Sequence, residues 1–104
     1  MKIIKLLRPQ EWAAFQAAGV FAGSPDDLRD GYIHLSTPEQ APTTAAKWFA
    51  GVEGLMAIGF DSAKMGAALR WEPSRNGELF PHYYGILQIE HLTSSELYGP
   101  PLIH

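Results

Sequence analysis

The chain contains no cysteine, which removes disulfides, thiolate metal sites and cysteine nucleophiles together and suits a reducing cytoplasm. Neither sign of charge dominates: eight Lys and Arg against eleven Asp and Glu leave a formal net charge of −3. The basic residues are dispersed, so no patch is available to neutralise a run of phosphates, and nucleic acid is not an expected partner. Long apolar runs are also missing. Met1 to Leu7 is interrupted by Lys2 and Lys5 and is too short for a signal core or a membrane span. There is no glycine-rich phosphate loop, nucleophile elbow or dinucleotide fingerprint, because Gly19, Gly23 and Gly31 are too scattered to make one. His34 and His82 lie far apart in sequence and no H-E-x-x-H or H-x-H spacing occurs, so no metal site is expected. These absences leave a cytoplasmic protein that interacts with neither membrane nor nucleic acid.

What is present suits a globular α+β chain. Its 104 residues, 46% hydrophobic and 18% charged, have the size of one domain spanning 1–104 that buries about 60% of its unfolded surface. Met1 to Leu7 predicts a strand. Pro9 to Ala18 predicts a helix, with proline in its first turn, Trp12, Phe15 and Ala18 on one face, and Gly19 at its end. Gly23 to Asp27 has loop chemistry. Tyr32 to Ser36 alternates as a strand, with Tyr32, His34 and Ser36 on one side and Ile33 and Leu35 on the other. Thr37 and Gln40 have capping-box spacing for a helix through Trp48 and Phe49 that Pro42 delays or kinks. Gly54 to Phe60 predicts a central strand. Leu69 to Pro73 and Leu79 to Leu87 follow, the latter broken at Pro81 and Gly85. Leu92 to Tyr98 predicts an edge strand before Gly99-Pro100-Pro101. Trp12, Phe15, Ile33, Leu35, Trp48, Leu55, Ile58 and Phe60 are the expected core.

Three clusters could carry chemistry. His34, Ser36 and Thr37 stand at a helix N-terminus, where unpaired N–H groups meet an anion or carboxamide; structurally, they read as a cap and a histidine donating to a carbonyl. In Arg70-Trp71-Glu72, Arg70 can grip a carboxylate or phosphate in a bidentate fork; structurally, the segment reads as a core tryptophan flanked by a cross-strand ion pair. Glu78 to Gly85 packs Glu78, Phe80, His82, Tyr83 and Tyr84 around Pro81. It can wall a cleft where rings stack on a planar ligand while Glu78 or His82 handles a proton, or it can form an aromatic mini-core. If one site exists, His34, Arg70, Glu78 and His82 converge on it. Exposed Tyr83, Tyr84 and Tyr98 would alternatively make a dimer face, so both monomer and homodimer stay open.

The segments Gly23-Ser24-Pro25-Asp26-Asp27-Leu28, Asp30-Gly31-Tyr32-Ile33-His34-Leu35-Ser36-Thr37, Arg70-Trp71-Glu72 and Glu78 to Gly85, in this order, resemble a family of short bacterial proteins known as domain of unknown function 952. That resemblance covers nearly the whole chain. It implies a compact split β-sheet with two main helices, similar to the ADP-ribosyltransferase superfamily, and through it NAD or a related nucleotide and an ADP-ribosyl transfer reaction. On that analogy Lys5 or His34 is the early polar residue, Ser36 and Thr37 are the middle hydroxyls, and Glu78 is the carboxylate. Glu78 and His34 are then the expected catalytic pair, with Lys5, Ser36, Thr37, Arg70, Phe80, His82 and Tyr84 binding ligand. A non-catalytic small-ligand or protein-interaction module is the alternative.

Overall fold

The computed structural model describes residues 1–74 and 76–98, so the Gly99-Pro100-Pro101 segment lies outside the described residues. Strand β1 (Lys2–Leu7) buries five of its six residues. With no solvent face, its alternating side chains serve two cores. Ile3 and Leu7 join Phe15, Ile33, Leu35, Ile58 and Phe60 on one side, and Ile4 and Leu6 join Ala41, Leu55 and Ala57 on the other. β1 pairs antiparallel with β4 (Met56–Asp61), which pairs with β8 (Ser94–Leu97).

Helix α1 (Pro9–Ala18) has the expected bounds, ending at Gly19 in the left-handed region (φ 77°), whose N–H donates to the Phe15 carbonyl. Phe15 is buried and meets Trp12 edge-on at 5.9 Å. The short β2 (Val20–Phe21) pairs with β7 (Leu87–Gln88). The Gly23–Asp27 stretch is not the expected loop: residues from Pro25 onward form a third helix, α2 (Pro25–Asp30). Ser24 caps it by accepting from Asp27 N–H, Asp27 returns a bond to Ser24 N–H, and Gly31 closes it in the left-handed region (φ 88°).

Strand β3 (Ile33–His34), β6 (Leu79–Tyr83) and β5 (Leu69–Pro73) form another antiparallel sheet with β6 in the middle. Two residues after β3, Ser36 exchanges both backbone bonds with Ile4 of β1. The segment 33–36 therefore crosses from one sheet to the next. Pro81 does not break β6 as expected. Its carbonyl accepts from Leu35 N–H, so the missing N–H forfeits one bond just past the end of β3. Tyr84 N–H donates to the Ala68 carbonyl and Ser74 N–H to the Glu78 carbonyl; the even-numbered backbone groups of β5 thus face β6 and the odd-numbered ones face outward. Leu69 N–H turns back to the Gly66 carbonyl.

Helix α3 (Ala41–Trp48) starts after Pro38, Glu39 and Gln40, the delay that Pro42 suggests. Trp48 corrects the expected core, being 55% exposed. The chain leaves helical geometry at Phe49 (φ −127°, ψ 21°), and Phe49 and Val52 pack on the second cluster instead. Tyr83 and Tyr98, expected to be exposed, are half-buried against the two cores, whereas Tyr84 is exposed. No described helix is long and apolar enough to cross a membrane.

Burial sets the expected cost of truncation. Phe15→Ala should lower the unfolding free energy by about 3–5 kcal/mol, a large part of the roughly 5–15 a domain has, whereas Trp48→Ala should cost about 1 kcal/mol. Urea denaturation of both variants measures the contrast, and equal losses would place Trp48 in the core after all.

Candidate functional site

The site grows from one carboxylate at the third position of α2. Asp27 is buried, with a side chain 2% exposed. Its Oδ2 accepts from Lys5 Nζ (2.9 Å) and Ser24 N–H (2.9 Å), and its Oδ1 accepts from His34 N–H (3.1 Å) and contacts His34 Nδ1 (2.7 Å). These four partners fill its acceptor capacity. Burial alone would raise the Asp27 carboxyl; the His34 hydrogen bond, the Lys5 charge and hydrogen bond, and Ser24 N–H outweigh it and hold Asp27 well below the usual carboxylate range. Lys5 also donates to the His34 carbonyl at 3.1 Å. The first strand, the helix and β3 thus meet at one ion pair.

His34 is held from both ends, because its Nε2 lies 3.1 Å from Asp30 Oδ2. Both ring nitrogens therefore face carboxylate oxygens, Nδ1 that of Asp27 and Nε2 that of Asp30. Opposite it stands His82, its register partner across β3 and β6. Because Leu35 and Pro81 carry the neighbouring hydrogen bond, His34 and His82 form the narrow pair of the ladder, where side chains come closest. Their rings sit 5.6 Å apart, edge to face.

Tyr32 covers both. Its ring stacks on His82 at 4.1 Å and lies 4.7 Å from His34 and 5.3 Å from Tyr84. Glu72 anchors the other side: Oε1 lies 2.8 Å from His82 Nδ1 and accepts from the Tyr84 hydroxyl at 2.8 Å. Hydrogen bonds from His82 and then Tyr84 hold the Glu72 carboxyl below its ordinary value, and the same bond to Glu72 pushes the Tyr84 hydroxyl up. Burial raises the Tyr32 hydroxyl. No described residue hydrogen-bonds His82 Nε2. A carboxylate on Nδ1 and an unengaged Nε2 are the geometry of an oriented proton acceptor.

Residues 6–95 match the family described as protein of unknown function DUF952. The chain belongs to the DUF952 family. Among curated proteins, none matches it. Its fold is similar to that of protein CC0527 from Caulobacter crescentus. The crystal structure of that protein is 44% identical with a TM-score of 0.90, over 93% of this chain and 85% of that one. A solution NMR structure of CC0527 gives 45% identity and a TM-score of 0.82, over 91% and 82%. The DUF952 match takes in every residue of the ring cluster and of its carboxylates; Lys5 lies one position before it.

Of the residues singled out in this DUF952 sequence, His34, Arg70, His82 and Tyr84 come together. Arg70 is the register partner of His82, and its guanidinium lies 4.8 Å from the centre of the Tyr84 ring. Glu78 stands apart from them, exposed before β6, accepting from Gln40 Nε2 at 2.9 Å. Gln40 also donates to the Leu79 carbonyl and completes a reciprocal pair of bonds with Thr37. Ser36 is buried with its hydroxyl 3.1 Å from that of Thr44. Lys5 is buried at the Asp27 pair, and Phe80 is half-buried beside Glu72 in the register. Of the expected cross-strand ion pair, the structure has a contact from Glu72 to His82 Nδ1 at 2.8 Å, and the expected core tryptophan is corrected, Trp71 being 39% exposed. Sequence reasoning missed Asp27 and Tyr32. Ser24-Pro25-Asp26-Asp27, followed by Gly31, carried the cap, proline and terminal glycine signals of a helix. Among the described residues no group of three or more His, Asp or Glu is arranged to hold a metal ion.

Two outcomes follow from these bonds. Asp27 has a lower pKa folded than unfolded, so its stabilisation is full above the ordinary value of 3.8 and is lost as pH falls through and below it. Asp27→Asn should cost roughly 3–5 kcal/mol at pH 7, since Lys5 is left buried without its counter-charge. Its urea midpoint should also vary less than that of the wild type between pH 5 and 3; identical acid limbs would show that the Asp27 charge contributes nothing. The neutral His82 ring should carry its proton on Nδ1. Long-range 15N–1H spectra report the tautomer, and a proton on Nε2, or no change in Glu72→Gln, would remove Glu72 as its orienting partner.

Proposed function

We propose that the face formed by Tyr32, His34, His82 and Tyr84 binds NAD or a related nucleotide, and that His82 exchanges a proton there in a glycosyl transfer reaction of the ADP-ribosyl type. The observation that carries this reading is the arrangement of His82. Its Nδ1 is held by Glu72, Glu72 is held by Tyr84, and Tyr32 stacks on the ring at 4.1 Å. Tyrosine rings present flat apolar faces to a planar ligand. Glu72 and Asp30 both have lowered carboxyl pKa values, Glu72 chiefly through His82 and Asp30 chiefly through Arg29. Two anions beside a ring platform favour the positive charge that develops at the anomeric carbon as the glycosidic bond lengthens.

In the proposed step the acceptor X–H attacks the anomeric carbon, the bond to the leaving base breaks, and its electron pair departs with the base. The acceptor proton passes to His82 Nε2. Glu72 takes the carboxylate role that the sequence analogy gave to Glu78, and His34, with both nitrogens engaged, orients the platform.

Thermal melts with NAD, ADP-ribose and nicotinamide test the binding. Saturation at about a hundred times the dissociation constant adds about 2.7 kcal/mol, on the order of 10 °C for a chain of this size. Tyr32→Ala should abolish the shift, and His82→Gln should keep it while stopping release of nicotinamide. No shift with any of the three compounds, or an equal shift in Tyr32→Ala, would sink the proposal.

A further inference from the structure

We infer that Arg70 recognises an oxyanion at this site, so that the ligand joins a phosphate or carboxylate to its planar ring; the inference rests on the nucleotide reading above. Arg70 and His82 are direct register partners, which sends both side chains from the sheet on the same face. The guanidinium lies 4.8 Å from the centre of the Tyr84 ring, a ring tied down by its 2.8 Å bond to Glu72. The cation–π contact positions the guanidinium over that ring, and a guanidinium so placed still has N–H donors to offer.

Among the described residues no carboxylate pairs with Arg70. Glu72 shares its strand face two residues away, yet Glu72 Oε1 serves His82 and Tyr84. Arg70 reaches Glu72 only through its charge, and a planar fork whose N–H groups bond no described residue stands at the border of the ring cluster. Such a fork matches the two oxygens of a phosphate or carboxylate. Glu72 and Asp30 face the same region and oppose a bare anion, so the gain should be largest when the oxyanion is attached to a ring that stacks.

The experiment is a calorimetric titration of the full chain with matched pairs of probes: nicotinamide riboside and nicotinamide mononucleotide, adenosine and AMP, and nicotinamide and nicotinate. Inorganic pyrophosphate is added as a ringless control. In the wild type, the phosphate should tighten binding at least tenfold over the nucleoside. Arg70→Gln should reduce that ratio to twofold or less, and Arg70→Lys should fall between, with both variants melting within a degree or two of the wild type. The nicotinate pair tells a carboxylate from a phosphate preference. Nucleosides that bind with no phosphate gain, or a gain that survives Arg70→Gln, would overturn the inference while leaving the ring platform its ligand. Pyrophosphate binding that depends on Arg70, with no nucleoside bound, would uphold the oxyanion role and defeat the nucleotide reading. Silence from every probe would defeat both.

Discussion

Lys5 and Asp27 are 22 residues apart in sequence and 2.9 Å apart in the structure, in surroundings where neither charge has ready access to water. Lys5 occupies a position of β1 whose neighbours along the same face, Ile3 and Leu7, are core residues. An unpaired ammonium there would cost several kcal/mol, so the strand tolerates Lys5 only because α2 delivers Asp27 to it. The dependence runs both ways, since Asp27 also holds the first turn of α2 and both the backbone and the ring of His34. One charge pair therefore sets where the helix sits, where β3 begins and how the first imidazole is turned.

From that point the geometry is carried by the segment 33–36. It belongs to one sheet at His34 and to another at Ser36, so the two sheets cannot shift relative to each other without breaking bonds in both. Ile33 and Leu35 enter the core on one side, which leaves His34 on the side where β6 presents His82. The ring cluster is thus rigid for reasons that lie outside it. Its aromatic contacts are the result of a register set by backbone hydrogen bonds.

Much of this was legible in the sequence. The α+β class, the bounds of α1, the late start of α3 and the buried strands β1 and β4 follow from apolar periodicity, proline position and terminal glycine. Local pattern also put Ile33 and Leu35 inside and His34 on the opposite face. Trp48 departs from its pattern because periodicity marks a face but does not say where a helix stops, and Phe49 takes the inward place. Pro81 suggests a break in the strand because a single sequence does not reveal which backbone N–H groups lack a partner. The pairing of Glu72 with His82 depends on the register of β5 against β6, which no spacing within one segment encodes. Glu78 has rings close to it in sequence, yet the rings that meet in space belong to Tyr32, His34, His82 and Tyr84.

The outer edge of β5 has a consequence for how these molecules coexist in solution. Three residues of the strand turn their backbone groups outward. Leu69 has already given its N–H to Gly66, and Pro73 has none to give, so Trp71 alone of the three offers a donor to an arriving strand. A foreign β-strand aligning there would find carbonyls in series but almost no reciprocal N–H groups, and its ladder would end after one rung. The border of the site is thereby kept from being capped by sheet growth, although it carries an exposed tryptophan. Crowded chains can collide at this edge without fusing into a common sheet, and the aromatic face beside it stays accessible.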